Sequence, residues 1–343
     1  MRDRRTGARM GAVLGAGVLA LTVAGPAAAQ TDIELIGYAS PAVTADFGWN
    51  EQGLLATQAA ADGVGATVIV AEGIGYDDPA PSIRQLIDDG ADFVVAMASG
   101  YNELAPPIAE ETGVPILVVD APESVNVPGL VATTNFEAHP GGYLAGVLAA
   151  TMTESDVLGV VISASEDQNW WKAASGFVEG ARSVNPDVEF ATASISEFGY
   201  DDIEGGNRVT TQVIAAGADI VFGQGDFAAQ GMFAAVEAAD GVWFIDVIGN
   251  KTPIDEQGVL LSSVLWDFTD AFVQAAADVE AGTFGTEGYV LDIANGGIGL
   301  LETPHWSDEA GVAVAAAAAG IADGSIELPD ITTEADYDAL VGG

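Results

Sequence analysis

Short apolar runs alternate with segments of helical periodicity along the chain from residue 33 onward. Each run has the length of a buried strand, and the apolar side chains between the runs recur at helical spacing. The first part of the chain has predicted strands at 33–38, 67–70, 93–96, 116–120 and 130–133. Predicted helices cover 50–62, the segment from Pro81 to Gly90, and the residues around Ile108. This alternation is typical of a parallel, doubly wound α/β sheet.

The same alternation begins again after Phe136. Predicted strands at 157–162, 188–193, 219–222 and 243–247 are separated by helices that end near Met152, Val184, Gly217 and Ala239. Later elements are strands at 259–264, 289–292 and 298–301 and helices at 267–281 and 308–322. These are too few for a third domain, so they are expected to complete the first two.

Two short phrases occur in both halves. Gly-Ala-Asp-Phe-Val at 90–94 returns as Gly-Ala-Asp-Ile-Val at 217–221, and Val-Val-Asp at 118–120 returns as Phe-Ile-Asp at 244–246. Their equivalent placement indicates a duplicated architecture with two similar lobes. The predicted lobe one is 30–135 plus 248–293, and lobe two is 136–247 plus 294–343. A chain that crosses between lobes several times makes a multi-strand hinge.

Composition excludes several classes of protein. Hydrophobic residues make up 49% of the 343 residues and charged residues 17%, which argues for a folded chain rather than a disordered one. This length suits two domains of ordinary size. The absence of cysteine excludes disulfides, thiolate metal sites and cysteine nucleophiles.

The chain is strongly acidic, with 51 Asp and Glu against 9 Lys and Arg and a net charge of −42. Nucleic-acid binding is not expected, because phosphate neutralisation requires basic side chains. The acidity could attract cationic ligands. Because the surplus is spread along the whole chain, a role in solubility, including solubility at high salt, is the simpler interpretation.

Residues 1–29 resemble an export signal. Arg2, Arg4, Arg5 and Arg9 precede an apolar stretch over 10–24 and a run of alanines at 27–29. A membrane anchor is the alternative, but a spanning helix needs about 18 or more apolar residues. We therefore expect a cleaved signal peptide and a periplasmic or extracellular protein.

Ligands of open parallel sheets bind outside the carboxyl ends of the strands. The predicted loops at these ends are rich in aromatic and polar residues, at 46–52, 99–102, 167–171 and 224–227. Candidate ligand-binding residues are Phe47, Trp49, Asn50, Gly100, Tyr101, Trp170, Trp171, Asp226, Asp246, Trp266 and Asp267. Flat aromatic faces beside polar edges suit a planar heteroaromatic ligand, although the same faces could stack on a sugar. Each tryptophan could instead serve packing or the hinge.

Enzymatic chemistry has little support. The chain has two histidines, His139 and His305, and lacks a nucleophile elbow, a phosphate-binding loop and a dinucleotide fingerprint after a strand. We expect no catalytic residue, metal or cofactor. A secreted hydrolase that uses two carboxylates stays open as the rival from another class.

Several motifs resemble one family. They are Asp46-x-x-Trp49-Asn50-x-Gln52-Gly53, the stretch 134–146 with Gly-Tyr-Leu-Ala-Gly at 142–146, Gly-Phe-Val-Glu-Gly at 176–180 and Ala-Gly-Thr-Phe at 281–284. These resemble the basic membrane protein family of substrate-binding proteins of ABC importers, related to the purine nucleoside receptor. The resemblance implies a type I periplasmic-binding fold, a nucleoside or purine base as ligand and a membrane permease as partner. We expect a monomer.

Trp266 follows Ser262-Ser263 where many members carry a lysine. This departure makes the chain look more like the branch associated with free purine bases. Rings from Phe47, Trp49 and Tyr101 would face Trp170 or Trp171 across the cleft. The ring edge would bond to Asn50, Asp246 and Asp267. A receptor of the same fold for a sugar or a signalling molecule is the other alternative.

Overall fold

A computed structural model describes residues 32–328 and 331–342. The predicted signal peptide at 1–29 lies outside these ranges. The described chain forms two six-stranded sheets with helices on their faces, and the buried apolar residues lie between the sheets and the helices.

The strands alternate with the helices along most of the chain. The strands are β1 (Leu35–Ala39), β2 (Thr67–Ala71), β3 (Phe93–Ala96), β4 (Ile116–Val119), β5 (Val131–Phe136), β6 (Val157–Ala164), β7 (Glu189–Ser196), β8 (Ile220–Gln224), β9 (Trp243–Ile248), β10 (Leu260–Trp266), β11 (Tyr289–Leu291) and β12 (Ile298–Leu300). The helices are α1 (Trp49–Val64), α2 (Ala80–Asp88), α3 (Ala105–Thr112), α4 (Ala138–Met152), α5 (Gln168–Val184), α6 (Ile203–Ala215), α7 (Ala228–Glu237), α8 (Thr269–Ala281), α9 (Asp308–Ala322) and α10 (Glu334–Gly342). The sequence pattern did not predict α10.

Both sheets have the same strand order. The first sheet runs β11-β5-β4-β3-β1-β2 and the second β12-β10-β9-β8-β6-β7. Every pairing in the first sheet is parallel, whereas β12 pairs antiparallel with β10 at the edge of the second. The predicted fold class, two doubly wound parallel-sheet lobes, is confirmed. We call the units built on the first and second sheets lobe one and lobe two.

The repeated phrase does the same structural work in each lobe. The carboxylate of Asp92 accepts hydrogen bonds from the backbone N–H groups of Glu34 and Leu35, at the start of β1. Asp219 accepts them from Glu154 and Ser155, just before β6. Each aspartate therefore ties the beginning of the neighbouring strand to its own strand.

One predicted lobe boundary requires correction. Strand β10 was assigned to lobe one as part of 248–293, but it pairs in parallel with β9 in the second sheet, with Val264 opposite Val247. The chain returns to lobe one only after Trp266, and α8 then packs against α1. Sequence periodicity identified the strand but carries no information on its distant pairing partner.

Three segments connect the lobes, at 136–138, 266–269 and 291–298. The predicted boundaries at 135/136 and 293/294 fall at the first and within the third of these segments. These three crossings form the multi-strand hinge that the sequence predicted.

Glycines explain the Gly-Tyr-Leu-Ala-Gly motif. A Cβ atom at Gly142 would collide with the backbone carbonyl of Ala173, and one at Gly146 with that of Phe177. Glycines on α5 approach α4 as closely, since a Cβ at Gly180 would meet the carbonyl of Tyr143. The motif therefore lets two helices of lobe two pack backbone to backbone.

No helix in the described ranges is long and apolar enough to cross a membrane.

Candidate ligand-binding site

A cavity of about 290 Å³ lies between the lobes, at the carboxyl ends of the strands of both sheets. Its lining residues are Pro41, Ala42, Trp49, Asn50, Tyr76, Ala98, Ser99, Asp120, Phe136, Asp167, Asn169, Trp170, Tyr200, Asp201, Asp226, Ile248 and Trp266. Most of them end a strand or follow one directly. This is the location that the general rule for open parallel sheets predicts.

Four rings form one side of the cavity, and we call Trp49, Phe136, Trp170 and Trp266 the aromatic wall. The ring of Trp266 stacks on Phe136, with centroids 4.2 Å apart and planes inclined by 27°, and on Trp170 at 5.7 Å and 22°. Trp49 meets the rings of Phe136 and Trp266 edge-on. The wall therefore combines Trp49 of lobe one and Trp170 of lobe two with Phe136 and Trp266, which lie at the first two hinge crossings.

The indole of Trp49 is held from lobe one. Its Nε1–H donates to the backbone carbonyl of Met97 at 2.9 Å, which fixes the ring at the end of β3. Trp49 is also the first residue of α1, so the helix start and the indole are positioned together.

The carboxylate of Asp46 organises the loop before α1. It accepts hydrogen bonds from the backbone N–H groups of Gly48, Asn50 and Glu51 and from Nδ2 of Asn50, at 2.7 to 3.0 Å. Oδ1 of Asn50 in turn accepts from the hydroxyl of Ser40 at 2.6 Å. Both polar ends of the Asn50 amide are thus engaged within lobe one, and Asp46 acts as a structural anion at the helix start.

Two polar contacts join the lobes across the cavity. Oδ1 of Asp226, in lobe two, accepts from the backbone N–H of Trp49 at 3.3 Å. Nδ2 of Asn169, also in lobe two, donates to Oδ1 of Asp120 at 3.4 Å. Both bonds are long for their type, so each of these two carboxylates keeps acceptor capacity for a further partner.

Burial raises the pKa values of the cavity carboxyl groups. It raises the pKa of Asp120 to about 6, with a further upward contribution from the charge of Asp167. It raises the pKa of Asp226 to about 7, with a further contribution from Asp46. The pKa values of Asp167 and Asp201 are also raised by burial. Removing carboxylates from water disfavours their charged form unless a cation compensates.

The backbone is strained at the cavity. Asp120 and Ile248 line it with φ angles of 59° and 74°, and Phe47, with φ of 53°, lies two residues before Trp49. Non-glycine residues in this region cost of the order of 1 to 3 kcal/mol each and cluster at functional sites. The strand ends of both lobes are therefore held in conformations that their sequences do not favour.

Five of the predicted ligand-binding residues line this cavity: Trp49, Asn50, Trp170, Asp226 and Trp266. They come from the loop before α1, the start of α5, the loop after β8 and the end of β10. The structure brings them together from both lobes, although the polar ends of Asn50 are already engaged.

The other six predicted residues do not line this cavity. Asp246 is fully buried within β9, where its carboxylate lies 3.5 Å from Nζ of Lys251. Tyr101 is fully buried and donates its hydroxyl to the carbonyl of Gly75. Trp171 is turned towards Tyr337 and donates Nε1–H to the carbonyl of Ser165.

The remaining three lie beside the cavity or elsewhere. The Cα of Gly100 packs near the ring of Tyr76, and the backbone of Phe47 lies close to Gly249. Asp267 lines a second cavity of about 280 Å³ between β11 and the start of α8. Of these six residues, Asp246, Tyr101 and Trp171 are held away from the cavity by their own contacts.

Sequence reasoning missed several lining residues although the rule that finds them was available. Asp167 and Asn169 stand in a predicted loop that was given no role for them, and Asp120 is the last residue of a predicted strand. Tyr76 and Tyr200 follow β2 and β7, so applying the same rule to the outer strands would have included them. Phe136 ends β5 at the hinge, where an apolar residue gives no functional signal.

In the described ranges, no group of three or more His, Cys, Asp or Glu side chains is placed so that it could hold a metal ion.

Comparison with known proteins identifies a family match over nearly the whole described chain. The family model described as "ABC transporter substrate-binding protein PnrA-like" (Bmp) matches residues 33–330. Transcriptional activator protein med of Bacillus subtilis is 23% identical over 72% of this chain and 75% of that protein. The ABC transporter nucleoside-binding protein BmpA of Lactococcus lactis is 26% identical over 58% of this chain and 60% of that protein.

Solved structures share the fold. A solute-binding protein of an ABC transporter from Conexibacter woesei superposes with a TM-score of 0.75 at 21% identity, over 87% of this chain and 99% of that one. One from Aeropyrum pernix gives 0.76 at 18% identity, over 90% and 96%. An arabinose-binding protein from Geobacillus stearothermophilus gives 0.61 at 17% identity, over 78% and 96%.

Proposed function

The chain belongs to the Bmp family of PnrA-like substrate-binding proteins of ABC transporters, and on that premise we propose that it captures a purine base or nucleoside between its lobes. The observation that carries the proposal is the aromatic wall. Rings from both lobes meet at the carboxyl ends of two mirrored sheets, beside carboxyl groups with acceptor capacity to spare.

The cavity favours a small, flat ligand. Its volume of about 290 Å³ lies at the lower end of the range for small-molecule sites. Stacking on an aromatic side chain contributes about 1 to 3 kcal/mol per base. The polar edge would be read by Asp120, Asp226 and Ser99, which line the same space. This assignment of roles replaces Asp246 and Asp267 with residues that reach the cavity.

The relatives are consistent with this ligand and also supply its rival. BmpA of Lactococcus lactis is named as nucleoside-binding. The solved structures include a protein named for arabinose and one with bound D-allose, and a sugar ring could also stack on the wall. Since the identity to those structures is below 25%, they share the fold with this chain, and the choice of ligand has to come from the cavity.

A role in transcription is not carried over from the relative that is named as a transcriptional activator. With 9 Lys and Arg against 51 Asp and Glu, the chain has few groups that could neutralise phosphates. The family and fold are those of binding proteins rather than enzymes.

Ligand capture would shift the protein towards a closed arrangement. Contacts from Trp49 on one lobe and Trp170 on the other can form together only when the lobes are close, so a ligand that uses both favours closure. A membrane permease would then distinguish the closed protein from the open one. Export through the predicted signal segment at 1–29 would place the protein in the periplasm or outside the cell.

The decisive experiment is a titration of purified protein, by calorimetry and tryptophan fluorescence, with adenine, guanine, hypoxanthine, their nucleosides, arabinose and glucose. We expect saturable binding of at least one purine compound and none of the sugars. Trp170→Leu is expected to weaken purine binding by about 10-fold or more, since one stacking surface is lost.

Trp171→Leu is the matched control, because the neighbouring indole lies outside the cavity on Tyr337. It should lower the melting temperature while leaving the affinity nearly unchanged. Binding of a sugar without any purine would overturn the proposal. Release of free base from a nucleoside during the titration, followed by chromatography, would favour the hydrolase instead.

A further inference from the structure

The cavity is lined by four aspartates, Asp120, Asp167, Asp201 and Asp226. No lysine, arginine or histidine occurs among the described residues that line it. Such a lining strongly favours a ligand that brings hydrogen-bond donors or positive charge, and it opposes phosphate and carboxylate groups.

Two lysines act on these aspartates from outside the cavity. The charge of Lys172 lowers the pKa values of Asp120 and Asp167, and that of Lys251 lowers the pKa of Asp226. Burial outweighs both, because the pKa values of all three carboxyl groups remain raised. Neither lysine lines the cavity, so a ligand there would meet the four aspartates without a basic side chain beside them.

The aspartates of the cavity differ from the structural aspartate next to it. Asp46 accepts four hydrogen bonds of 2.7 to 3.0 Å from its own loop and helix. Asp120 accepts a bond of 3.4 Å and Asp226 one of 3.3 Å. An ionised carboxylate offers about four lone-pair sites, so Asp120 and Asp226 have room for ligand donors that Asp46 lacks.

The aromatic wall adds a second, independent attraction for positive charge. The face of an aromatic ring is negative, and a cation within about 6 Å of the ring centroid is attracted to it, most strongly to tryptophan. Three of the four rings of the wall are indoles. The protein itself covers most of Trp170 and Trp266, whereas Trp49 is partly exposed. A cation–π contact is stronger where the cation is removed from water.

We propose that this cavity selects a flat ring that carries a positive charge, such as a purine nucleoside alkylated on a ring nitrogen, over its neutral counterparts. The charged ring would stack on the aromatic wall while Asp120 and Asp226 face its charge. The inference deepens the proposed function, because it names the charge of the ligand that the same cavity would bind.

The test uses four isomeric methyladenosines, measured by calorimetry at neutral pH on the full exported chain. The isomers methylated at N1 or N7 carry a positive charge on the ring, whereas those methylated at N6 or C2 are neutral. Two cationic isomers are used because a methyl group on one edge could be excluded by shape alone. We expect at least one of them to bind about 10-fold or more tightly than both neutral isomers, equivalent to about 1.4 kcal/mol.

Substitution then locates the source of the preference. Asp120→Asn combined with Asp226→Asn should bring the cationic and neutral isomers to within about 3-fold of each other while purine binding persists, since the rings remain. Asp187→Asn is the control, because it removes one negative charge from an exposed residue outside the cavity and should leave the preference intact.

The outcomes separate the proposed preference for a cationic ring from the proposed function. Equal or tighter binding of the neutral isomers to the unsubstituted protein overturns the inference and leaves the proposed function standing. Failure of all four isomers and of every unmodified purine overturns both. If the doubly substituted protein does not fold, the comparison of isomers on the unsubstituted protein is sufficient.

Discussion

The second repeated phrase, at 118–120 and 244–246, ends in an aspartate in each lobe. These two aspartates have opposite environments. Asp120 follows β4 directly, lines the cavity, and is contacted across the cleft by Asn169. Asp246 lies inside β9, fully buried, 3.5 Å from Nζ of Lys251. The duplicated frame is the same, yet one carboxyl group is available to a ligand and the other is paired within the protein.

The difference arises from strand length. In lobe one β4 ends at Val119, and the backbone turns at Asp120 with φ of 59°. In lobe two β9 continues for two residues beyond Asp246, and the comparable left-handed residue is Ile248. Two additional strand residues move the aspartate from the mouth of the sheet into its interior, where an unpaired charge would be costly. The proposed ligand contacts therefore lie at the strand ends of this fold, whereas the repeat preserves only its frame.

Removal of the buried Lys251 side chain should have the largest effect on stability, and it tests the pairing that distinguishes Asp246 from Asp120. Lys251→Met leaves the carboxyl group of Asp246 buried without its partner, and we expect a loss of about 3 to 5 kcal/mol in the free energy of unfolding. Urea denaturation followed by circular dichroism measures it. Combining Lys251→Met with Asp246→Asn should recover part of the loss, and a single variant within about 1 kcal/mol of the parent would contradict this account of Asp246.

Glycine substitutions compare the helix packing of the two lobes. Gly146→Ala in α4 forces a methyl group against the backbone of α5, so we expect a destabilisation of about 1 to 3 kcal/mol. Gly63→Ala in α1 of lobe one finds only ordinary contact, 3.7 Å from Val273, and should stabilise by up to about 1 kcal/mol. Thermal unfolding of the two variants tests this, and a shift in the same direction for both would show that the backbone approach is not the cause.

The pH dependence of stability should distinguish Asp120 from exposed aspartates. Its pKa is raised to about 6 from an ordinary value of 3.8, so the folded state retains a proton that the unfolded state has lost. The stability that this difference provides at low pH is therefore lost as pH rises from about 4 to about 6, and it is not regained at higher pH. Asp167, Asn169 and Lys172 act on it.

Asp120→Asn should flatten the decline of stability with pH in that window, measured by urea unfolding at a series of pH values. Asp187→Asn provides the charge control. An unchanged slope in Asp120→Asn would mean that this carboxyl group titrates normally. The change is expected to be smaller than the losses caused by Lys251→Met and Gly146→Ala, because Asp120 lines the cavity and is partly exposed.

The smallest expected effect concerns the contact between the lobes. Asp226→Asn weakens the acceptor for the backbone N–H of Trp49, whose bond is already 3.3 Å long. We expect less than about 1 kcal/mol in stability and a modest shift towards open lobes, visible as a larger radius of gyration by small-angle X-ray scattering without ligand. A more compact protein would contradict a bridging role for this carboxyl group.

Part of the site could be predicted from local signals. Trp49, Trp170 and Asp226 are predicted because each lies in a loop that follows a predicted strand, and parallel strands bring their carboxyl ends to one edge. The choice between Trp170 and Trp171 could not be made in the same way. Successive helical residues point about 100° apart, so one indole faces the cavity and the other faces Tyr337.

The two sheets, their duplicated frame and the loops that could hold a ligand are predictable from the amino-acid sequence, because hydrophobic periodicity and turn chemistry are local. The folded chain was needed to show that β10 joins lobe two, that Asp246 is paired with Lys251 and that Phe136 belongs to the aromatic wall. Those facts depend on pairings between distant parts of the chain, and the packing free energy that selects them leaves no periodic signal in the sequence.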